Sequence, residues 1–367
     1  MKVVVIGLSI TSSWANGHAA NYRGLVRELA ARGHQVLFCE HDTPWHESTR
    51  ALRELRGARL CLYTSLDELA QLAGEQIAEA ELVIVGSHVL DGATVAEYVL
   101  ATTAGRTAFY DIDTPETLAK LDAGEHEYLT PALVPRFDLY LSSAGGLTLS
   151  ALEQHGARHA VPFYPLVDPR GHVAVASRPC WDLGYLGSYS AERQPRLEAL
   201  LLTPARALRA RRFVVAGPQY PEDIAWPANV ARIQHIASGR RPVFYGAQRF
   251  TLNLARGGAR DAGWSPDVAL FEAAACGTTM ITDYWPGLED FFAPEKEIIV
   301  ARSADEVLRA LIETGIETRL ALAARARQRV LREHTAARRI DQLERELHEL
   351  PDQPSAVLGE LQSAPPL

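Results

Sequence analysis

The amino-acid sequence predicts an α/β protein with two domains, each built on a doubly wound parallel sheet. In both halves of the chain, short runs rich in β-branched residues alternate with segments of helical period, which is typical of βαβ units. A stretch with four prolines, residues 161–179, interrupts this alternation. The length of 367 residues agrees with about two domains of roughly 150 residues each.

Six strands are predicted in each half. The first helix covers residues 19–32, where apolar residues recur at three- and four-residue spacing and Gly33 ends the pattern. Ser65 and Ser303 each precede a glutamate by three residues, which predicts capping boxes at two more helix starts. The predicted strands are 2–7, 35–40, 58–63, 81–86, 107–111, 138–143, 181–187, 212–217, 229–236, 249–255, 278–283 and 297–301.

The proline-bearing stretch sets the expected domain boundaries. We predict a first domain over residues 1–163, a linker over 164–180 and a second domain over 181–317. Two helices rich in Arg, Ala and Leu follow over 318–350, and the Pro/Ser-rich tail, 351–367, is predicted to be disordered.

Composition and charge exclude several classes of protein. Hydrophobic residues make up 47% and charged residues 22%, which excludes a disordered, collagen-like or coiled-coil chain. The net charge of −8 disfavours a nucleic-acid partner. The apolar runs are too short to span a membrane, and the chain opens on a strand pattern without a secretory signal, so we expect a cytoplasmic protein. The four widely spaced cysteines, at 39, 61, 180 and 276, predict buried free thiols.

The loops at the carboxyl ends of the strands form the candidate site, because ligands of doubly wound folds bind there. The most specific pattern comprises FEAAACGTTMITD (271–283), Gly287-Leu288-Glu289, PEKEIIV (294–300) and ADEVLRAL (304–311). Glu272 lies near the start of a helix of small residues within it. A carboxylate at this point can accept two hydrogen bonds from a ribose diol.

The stretch 263–311 resembles the donor-binding half of GT-B glycosyltransferases of glycosyl transferase group 1. It is most similar to the group that includes the spore-maturation (CgeB-like) proteins, with the pattern F/L-E-A-x-A-C-G, a strand, G-L-E and G-K-E-I-x-V. The resemblance implies two Rossmann-like domains facing a central cleft. It also implies a nucleoside-diphosphate-sugar on the second domain, with Glu272 on the ribose, and C-terminal helices that return toward the first domain.

Trp264 departs from the wider superfamily. Retaining members carry two glutamates eight positions apart, and Trp264 occupies the position of the first of them. We expect its ring either to stack on a base or sugar face or to cover the core as a loop aromatic. Retention or inversion stays open.

Other loops of the second half are predicted to bind the rest of the donor. A turn between a strand and a helix offers backbone N–H groups and a hydroxyl to a pyrophosphate, and an arginine shortly after it offers a bidentate fork. The next two strands end where the resembling family holds the nucleobase. These donor-binding candidates are Gly187, Ser188, Tyr189, Arg193, Gly217, His235 and Ile236.

The first half supplies candidates for catalysis. The polar loop 7–21, GLSITSSWANGHAAN, is longer than a βα connection requires, which predicts a functional loop. His18 ends it and is the candidate catalytic base, because a near-neutral imidazole can take the proton of an attacking hydroxyl. Some inverting GT-B enzymes place a histidine in this loop.

Two aspartates after the fifth strand are candidates for orienting the base or contacting the acceptor. Asp111 and Asp113 have the Asp-x-Asp spacing of the metal-binding motif of GT-A glycosyltransferases. That interpretation would place the donor in the first domain, so we predict no metal. His88 and the loop 142–146 are further candidates for acceptor contact.

The sequence therefore predicts a bacterial, metal-independent glycosyltransferase of the hexosyltransferase class. It would move a sugar from a nucleoside-diphosphate donor, UDP or dTDP, to a hydroxyl or amine of a glycan, small molecule or protein, and would use no cofactor. Two alternatives stay open: a nucleotide-sugar 2-epimerase of the same fold, and a non-catalytic spore or envelope assembly protein.

Overall fold

The structure, a computed structural model, describes residues 1–12, 17–44, 47, 49–175 and 177–351. It contains two parallel sheets with helices on both faces, which confirms the predicted α/β class. Most of the predicted disordered tail, 352–367, lies outside the described residues.

The first sheet has seven parallel strands in the order β3-β2-β1-β4-β5-β6-β7. The strands are β1 (Lys2–Gly7), β2 (Gln35–His41), β3 (Arg59–Tyr63), β4 (Leu82–Gly86), β5 (Arg106–Asp111), β6 (Leu139–Ser142) and β7 (Ala160–Pro162). The helices are α1 (His18–Ala31), α2 (Leu66–Ala78), α3 (Gly92–Thr102), α4 (Thr114–Ala123) and α5 (Leu147–Gln154), with a 3₁₀ turn at Val134–Arg136. The strand order reverses between β1 and β4, so the loops after these two strands flank a crevice where ligands bind in such sheets.

The second sheet has six parallel strands in the order β10-β9-β8-β11-β12-β13. The strands are β8 (Trp181–Leu186), β9 (Phe213–Ala216), β10 (Val230–Ile233), β11 (Gln248–Asn253), β12 (Thr279–Thr282) and β13 (Ile299–Val300). The helices are α6 (Gln194–Leu197), α7 (Thr203–Ala207), α8 (Arg241–Gly246), α9 (Gly257–Ala262), α10 (Val268–Ala275), α11 (Leu288–Phe291), α12 (Ala304–Glu313), α13 (Ile316–Glu333) and α14 (Ala336–Glu349). A π-helical turn, Glu198–Leu202, joins α6 to α7, and a 3₁₀ turn, Ser238–Arg240, precedes α8. Here the order reverses between β8 and β11.

Apolar side chains cover both faces of both sheets. The consecutive residues Val3, Val4, Val5 and Ile6 of β1 are all at most 2% exposed. A parallel strand buried on both faces requires such an unbroken apolar run, which is why alternation with polar residues is missing from the sequence.

Both predicted helix caps are present. The Ser65 hydroxyl accepts a hydrogen bond from the N–H of Glu68 at 3.2 Å, and Ser303 accepts from Glu306 at 3.3 Å. The Glu68 carboxylate reaches back to the N–H of Thr64 at 2.7 Å, one residue before the cap. These contacts satisfy N–H groups that have no partner within the helix.

The chain crosses between the sheets twice. Residues 163–180 lead from β7 to β8, and Val167 pairs there with Thr335 at the junction of α13 and α14. Helix α13 packs against α10 of the second sheet, whereas α14 packs against α1 of the first. The return toward the first domain is therefore made by α14 alone.

All four cysteines are free; Cys39 and Cys276 are buried and Cys61 is half-buried, but Cys180 is exposed, so the predicted burial is wrong for Cys180. None of the helices in the described part of the chain combines the length and apolarity that a bilayer span requires.

Candidate active site

A cleft of about 600 Å³ lies between the carboxyl ends of the two sheets and is lined by both. Asp111, Tyr189 and Trp264 are not among its lining residues. The predicted site residues that do line it are His18, Asp113, Gly187, Ser188, Arg193, Gly217, His235, Ile236 and Glu272.

Glu272 is a buried carboxylate on α10 that lines the cleft and has hydrogen-bond partners at only one of its two oxygens among the described residues. Its Oε1 accepts hydrogen bonds from Arg241 Nη1 at 2.5 Å and from His172 Nε2 at 3.3 Å. Its Oε2 is buried and has no hydrogen-bond partner among the described residues. Burial opposes ionisation, but Arg241 and then His172 outweigh it and hold the pKa of this carboxyl below its usual value.

Two guanidinium groups face the same part of the cleft. Arg193 donates from Nη2 to the carbonyl oxygen of Ser188 at 3.0 Å, and Arg241 pairs with Glu272. In the part of the chain that the structure describes, the buried Nε of each arginine lacks a hydrogen-bond partner. Each arginine therefore keeps a donor for an anion.

The turn after β8 differs from its predicted geometry. The N–H of Gly187 donates to the carbonyl of Ala216 at 2.9 Å, and that of Tyr189 donates to the carbonyl of Pro218 at 3.0 Å. The following helix begins only at Gln194. The prediction that the N–H groups of Gly187, Ser188 and Tyr189 face a pyrophosphate at a helix N-terminus is therefore wrong for Gly187 and Tyr189, whose N–H groups join the turn to the loop after β9.

Gly217 allows the loops after β8 and β9 to touch. Its φ of 141° lies in the region that favours glycine, and a Cβ at this position would overlap the carbonyl oxygen of Gly187. His235 and Ile236 follow β10 on the same wall of the cleft. Burial, together with Arg241, lowers the pKa of His235 and favours its neutral form.

Asp113 contacts three basic side chains at the end of the cleft that the first domain lines. Its Oδ2 accepts a hydrogen bond from His18 Nε2 at 2.9 Å, and His88 Nε2 lies 3.4 Å from the same oxygen. Its Oδ1 pairs with Arg256, which follows β11 of the second sheet. Burial alone would raise the pKa of Asp113, but Arg256 and the two histidines hold it well below its usual value.

The two histidines differ in access to the cleft. The side chain of His88 is 22% exposed and that of His18 10% exposed, and the Nδ1 atom of His18 is buried. Their rings meet edge to face with centroids 5.3 Å apart. Burial lowers the pKa of His88, but its contact with Asp113 outweighs this and raises it. The predicted base, His18, thus has a partner that is better exposed to an acceptor.

Asp111 lies beneath the site rather than in it. Its carboxylate accepts hydrogen bonds from the hydroxyls of Tyr140 at 2.7 Å and Thr117 at 2.9 Å, and from the N–H of Asp113 at 3.2 Å. Burial raises its pKa. Direct contact with an acceptor is therefore excluded in this structure, and the residue holds the backbone of Asp113.

His18, His88 and Asp113 also have the spacing of metal ligands. Their ligand atoms all lie within 4.8 Å of one another. The guanidinium of Arg256 places a positive charge on the same carboxylate. That charge disfavours a divalent cation, although a carboxylate and two imidazoles are suitable ligands for one.

Trp264 packs between the two domains. Its φ of 44° is unusual for a residue other than glycine, and its indole Nε1 donates to Asp290 at 2.5 Å. The indole lies so close to Gly146 of the first domain and Gly287 of the second that a Cβ on either would approach it to within 2.6 Å. These contacts agree with the expected alternative of a loop aromatic that covers the core, and stacking on a base or sugar face stays a prediction.

Two charged side chains, Glu40 and Arg23, form hydrogen bonds to the backbone at the start of the loop that leads to His18. Glu40 at the end of β2 accepts hydrogen bonds from the N–H groups of Ile10 at 2.7 Å and Thr11 at 3.0 Å. Arg23 of α1 donates to the carbonyl oxygens of the same two residues at 2.8 and 3.1 Å. Residues 13–16 of the predicted loop lie outside the described residues.

Known proteins match both the sequence of the second domain and the fold of the whole chain. Residues 193–345, which include Glu272, match the family model described as glycosyl transferase-like. No curated protein matches the chain. Three similar solved structures are each matched over 95% of this chain and 99% of the other. They are sucrose-phosphate synthase from Thermosynechococcus elongatus, with 14% identity and a TM-score of 0.67, and HepE of Anabaena in complex with UDP-glucose, with 12% identity and a TM-score of 0.69. The third is an alpha-glucosyltransferase in complex with UDP-glucose and DNA containing an abasic site, with 10% identity and a TM-score of 0.70.

This chain has the GT-B glycosyltransferase fold. The predicted fold and the likeness to glycosyltransferases are thereby confirmed, and the closer likeness to the CgeB-like group stays a prediction. The strand order reverses between β1 and β4 in the first sheet and between β8 and β11 in the second, and charged residues of the cleft come from the loops after these strands and after the neighbouring strands β5 and β10.

The sequence interpretation missed three basic residues that contact the carboxylates of Glu272 and Asp113. His172 and Arg241 contact Glu272 from 100 and 31 positions away, and Arg256 contacts Asp113 from 143 positions away. No local spacing connects such pairs. Only the position of Arg241 and Arg256 in the sequence could have indicated that they lie at the cleft, because both follow predicted strands at that edge of the sheet.

Proposed function

We propose that this protein is a glycosyltransferase that uses a nucleoside-diphosphate-sugar donor with UDP or dTDP as the nucleotide. The observation that carries the proposal is Glu272, a cleft-lining residue whose buried Oε2 has no hydrogen-bond partner among the described residues. A buried acceptor left unsatisfied costs about 1–3 kcal/mol. A ribose hydroxyl would satisfy it, and the UDP-glucose complexes of two structural neighbours support a uridine nucleotide.

Arg193 and Arg241 are proposed to hold the diphosphate. Both line the cleft with an Nε donor that lacks a partner in the described chain. Planar guanidinium groups bind phosphate oxygens bidentately and offset the charge that develops on a leaving diphosphate. Gly217, His235 and Ile236 would contact the base.

The acceptor proton is proposed to leave through the histidines on Asp113. Nε2 of His18 hydrogen-bonds to the carboxylate and Nε2 of His88 lies 3.4 Å from it, so the carboxylate stabilises a cation that forms on either ring, and Nδ1 of His88 is proposed as the basic atom. The greater exposure of His88 makes it the better placed of the two. The acceptor is proposed to be a glycan, small molecule or protein, and we infer a cytoplasmic location for a reaction that uses a nucleotide-sugar.

Calorimetry with UDP-, GDP- and dTDP-glucose tests the donor. We expect a uridine or thymidine donor to bind, and Glu272→Gln to weaken it by about tenfold or more, since hydrogen bonds to charged groups contribute about 1.5–3 kcal/mol. Glu317→Gln, on an exposed glutamate of α13 outside the motif, should match the wild type. Absence of binding by every nucleotide-sugar would favour an assembly protein, and interconversion of the donor alone would favour an epimerase.

A chelator tests metal independence. Because Arg256 already neutralises Asp113, we expect transfer by wild-type protein to be unchanged after dialysis against EDTA, measured as product formed per minute. A loss of activity that added Zn²⁺ or Mn²⁺ restores would assign His18, His88 and Asp113 to a metal instead.

A further inference from the structure

The linker between the domains carries a turn that contacts the donor carboxylate. The carbonyl oxygen of Asp168 accepts hydrogen bonds from the backbone N–H of His172 at 2.9 Å and from its Nδ1 at 3.1 Å. The Nε2 of the same ring lies 3.3 Å from Glu272 Oε1. The imidazole is 13% exposed, so the contacts that join the linker to Glu272 are largely shielded from water.

The same turn is attached to the first domain. The carboxylate of Asp168 pairs with Arg27 of α1, and the N–H of Leu166 donates to the side chain of Asn21 on α1 at 3.0 Å. A continuous chain of contacts therefore runs from α1 through the linker to Glu272.

Both ring nitrogens of His172 face oxygen acceptors. A carbonyl oxygen and a carboxylate oxygen can only accept, so both contacts form together only when the imidazole carries protons on both nitrogens. The neutral ring would lose one of the two.

We propose that His172, as an imidazolium, is a positioning residue that orients Glu272 for the ribose of the donor and couples donor binding to the linker. The proposal rests on the proposed function, because it requires Glu272 to bind the donor. It predicts that donor affinity depends on the protonation of a residue that does not itself touch the donor.

The charges around His172 determine the direction of this dependence. Burial opposes the cation, whereas Glu272 and the carbonyl of Asp168 favour it and Arg241 opposes it, and together they raise the pKa of His172. The doubly bonded state is therefore present at low pH and is lost as pH rises through the pKa, so donor binding should weaken on the alkaline side. The charged groups facing the ring or its turn are Glu272 on α10, Arg241 on α8, Arg27 on α1, and Asp168 and Arg170 on the turn itself.

Calorimetric titration of UDP and UDP-glucose between about pH 6 and pH 9 tests the coupling. We expect the wild-type Kd to rise by about tenfold across this range, as for the loss of one hydrogen bond to a charged group. His172→Gln should bind weakly at every pH with a flat profile, and should raise the donor KM while leaving kcat nearly unchanged. His155→Gln, a histidine at the end of α5 that pairs with Asp122, should reproduce the wild-type profile.

The outcomes separate the two proposals. Wild-type affinity and pH profile in folded His172→Gln, with Tm measured by circular dichroism, would overturn the coupling and leave the glycosyltransferase proposal in place. A wild-type protein that binds neither UDP nor UDP-glucose would overturn the donor site itself.

Discussion

At the scale of single residues, the acceptor end of the cleft depends on one carboxylate shared by two histidines. Asp113 is held from below by Asp111 and from across the cleft by Arg256, so its position is fixed by both domains. An ionised carboxylate in this position accepts the hydrogen bond from Nε2 of His18 and stabilises positive charge on either ring. Because the His88 side chain is the better exposed of the two, we expect it to meet the acceptor.

Replacement of each histidine by glutamine separates their roles. We expect His88→Gln to lower kcat by about 10²–10⁴-fold, the usual range for a lost general base, and His18→Gln to lower it less because its Nδ1 is buried. Initial rates at saturating donor give the kcat of each variant. An unchanged Kd for UDP is the control that the donor site is intact. A larger loss in His18→Gln would restore His18 as the base.

At the scale of elements, the donor wall consists of two loops in backbone contact. The hydrogen bond from Gly187 N–H to Ala216 and the close approach of Gly217 to Gly187 leave no room for a side chain between the loops after β8 and β9. The hydroxyl of Tyr220 further fixes Gly187 through its carbonyl oxygen at 3.1 Å.

Alanine at Gly217 should force these loops apart. The added Cβ meets the carbonyl oxygen of Gly187 in a backbone conformation that favours glycine, so we expect Gly217→Ala to cost about 1–3 kcal/mol of unfolding free energy and to raise the donor KM. Gly239→Ala, at a nearby glycine with no heavy atom within 4 Å of an added Cβ, is the matched control. Urea denaturation measures the unfolding free energy of each variant, and donor kinetics measure its KM. Equal unfolding free energies and equal KM values for the two variants would contradict the expectation.

Local patterns of the sequence predict most elements, because strands and helices differ in apolar period. β7 was missed because it has three residues, too few to show a period, and the π-helical turn at Glu198–Leu202 has no pattern of its own. The carboxylate Glu272 was found through an ordered motif. Its partners His172 and Arg241 were not, because ion pairs form between surfaces that only the folded chain brings together.

At the scale of the whole molecule, the last helix completes the first domain. Ile340 and Leu343 of α14 are fully buried in the same apolar cluster as Tyr22 and Leu25 of α1. Arg32 at the end of α1 adds ion pairs to Asp341 at 2.7 Å and Glu344 at 2.8 Å. The first domain therefore takes part of its core from a segment that follows the second domain in sequence.

Removal of one α14 side chain should weaken the first domain. We expect Leu343→Ala to cost about 2–5 kcal/mol, as other buried leucine truncations do, and to raise hydrogen exchange in α1. Arg345→Ala, on an exposed position of the same helix, should change stability by about 0.5 kcal/mol or less. Urea denaturation measures the unfolding free energy of both variants, and hydrogen exchange measures the protection of α1. Unchanged exchange in α1 of the Leu343→Ala variant would show that α14 is not part of that core.

Trp264 gives the two domains a second point of attachment, distant in sequence from the linker. Its carbonyl oxygen accepts a hydrogen bond from the N–H of Gly145 at 2.9 Å, and its ring lies against Gly146 and Gly287. A rigid body pinned at two points keeps one rotational degree of freedom, about the line that joins them. Once the pair between Arg256 and Asp113 separates, and while the contacts at Val167 and at Trp264 both hold, motion of the domains reduces to a rotation about that axis. The distance that each cleft residue then moves is proportional to its distance from the axis.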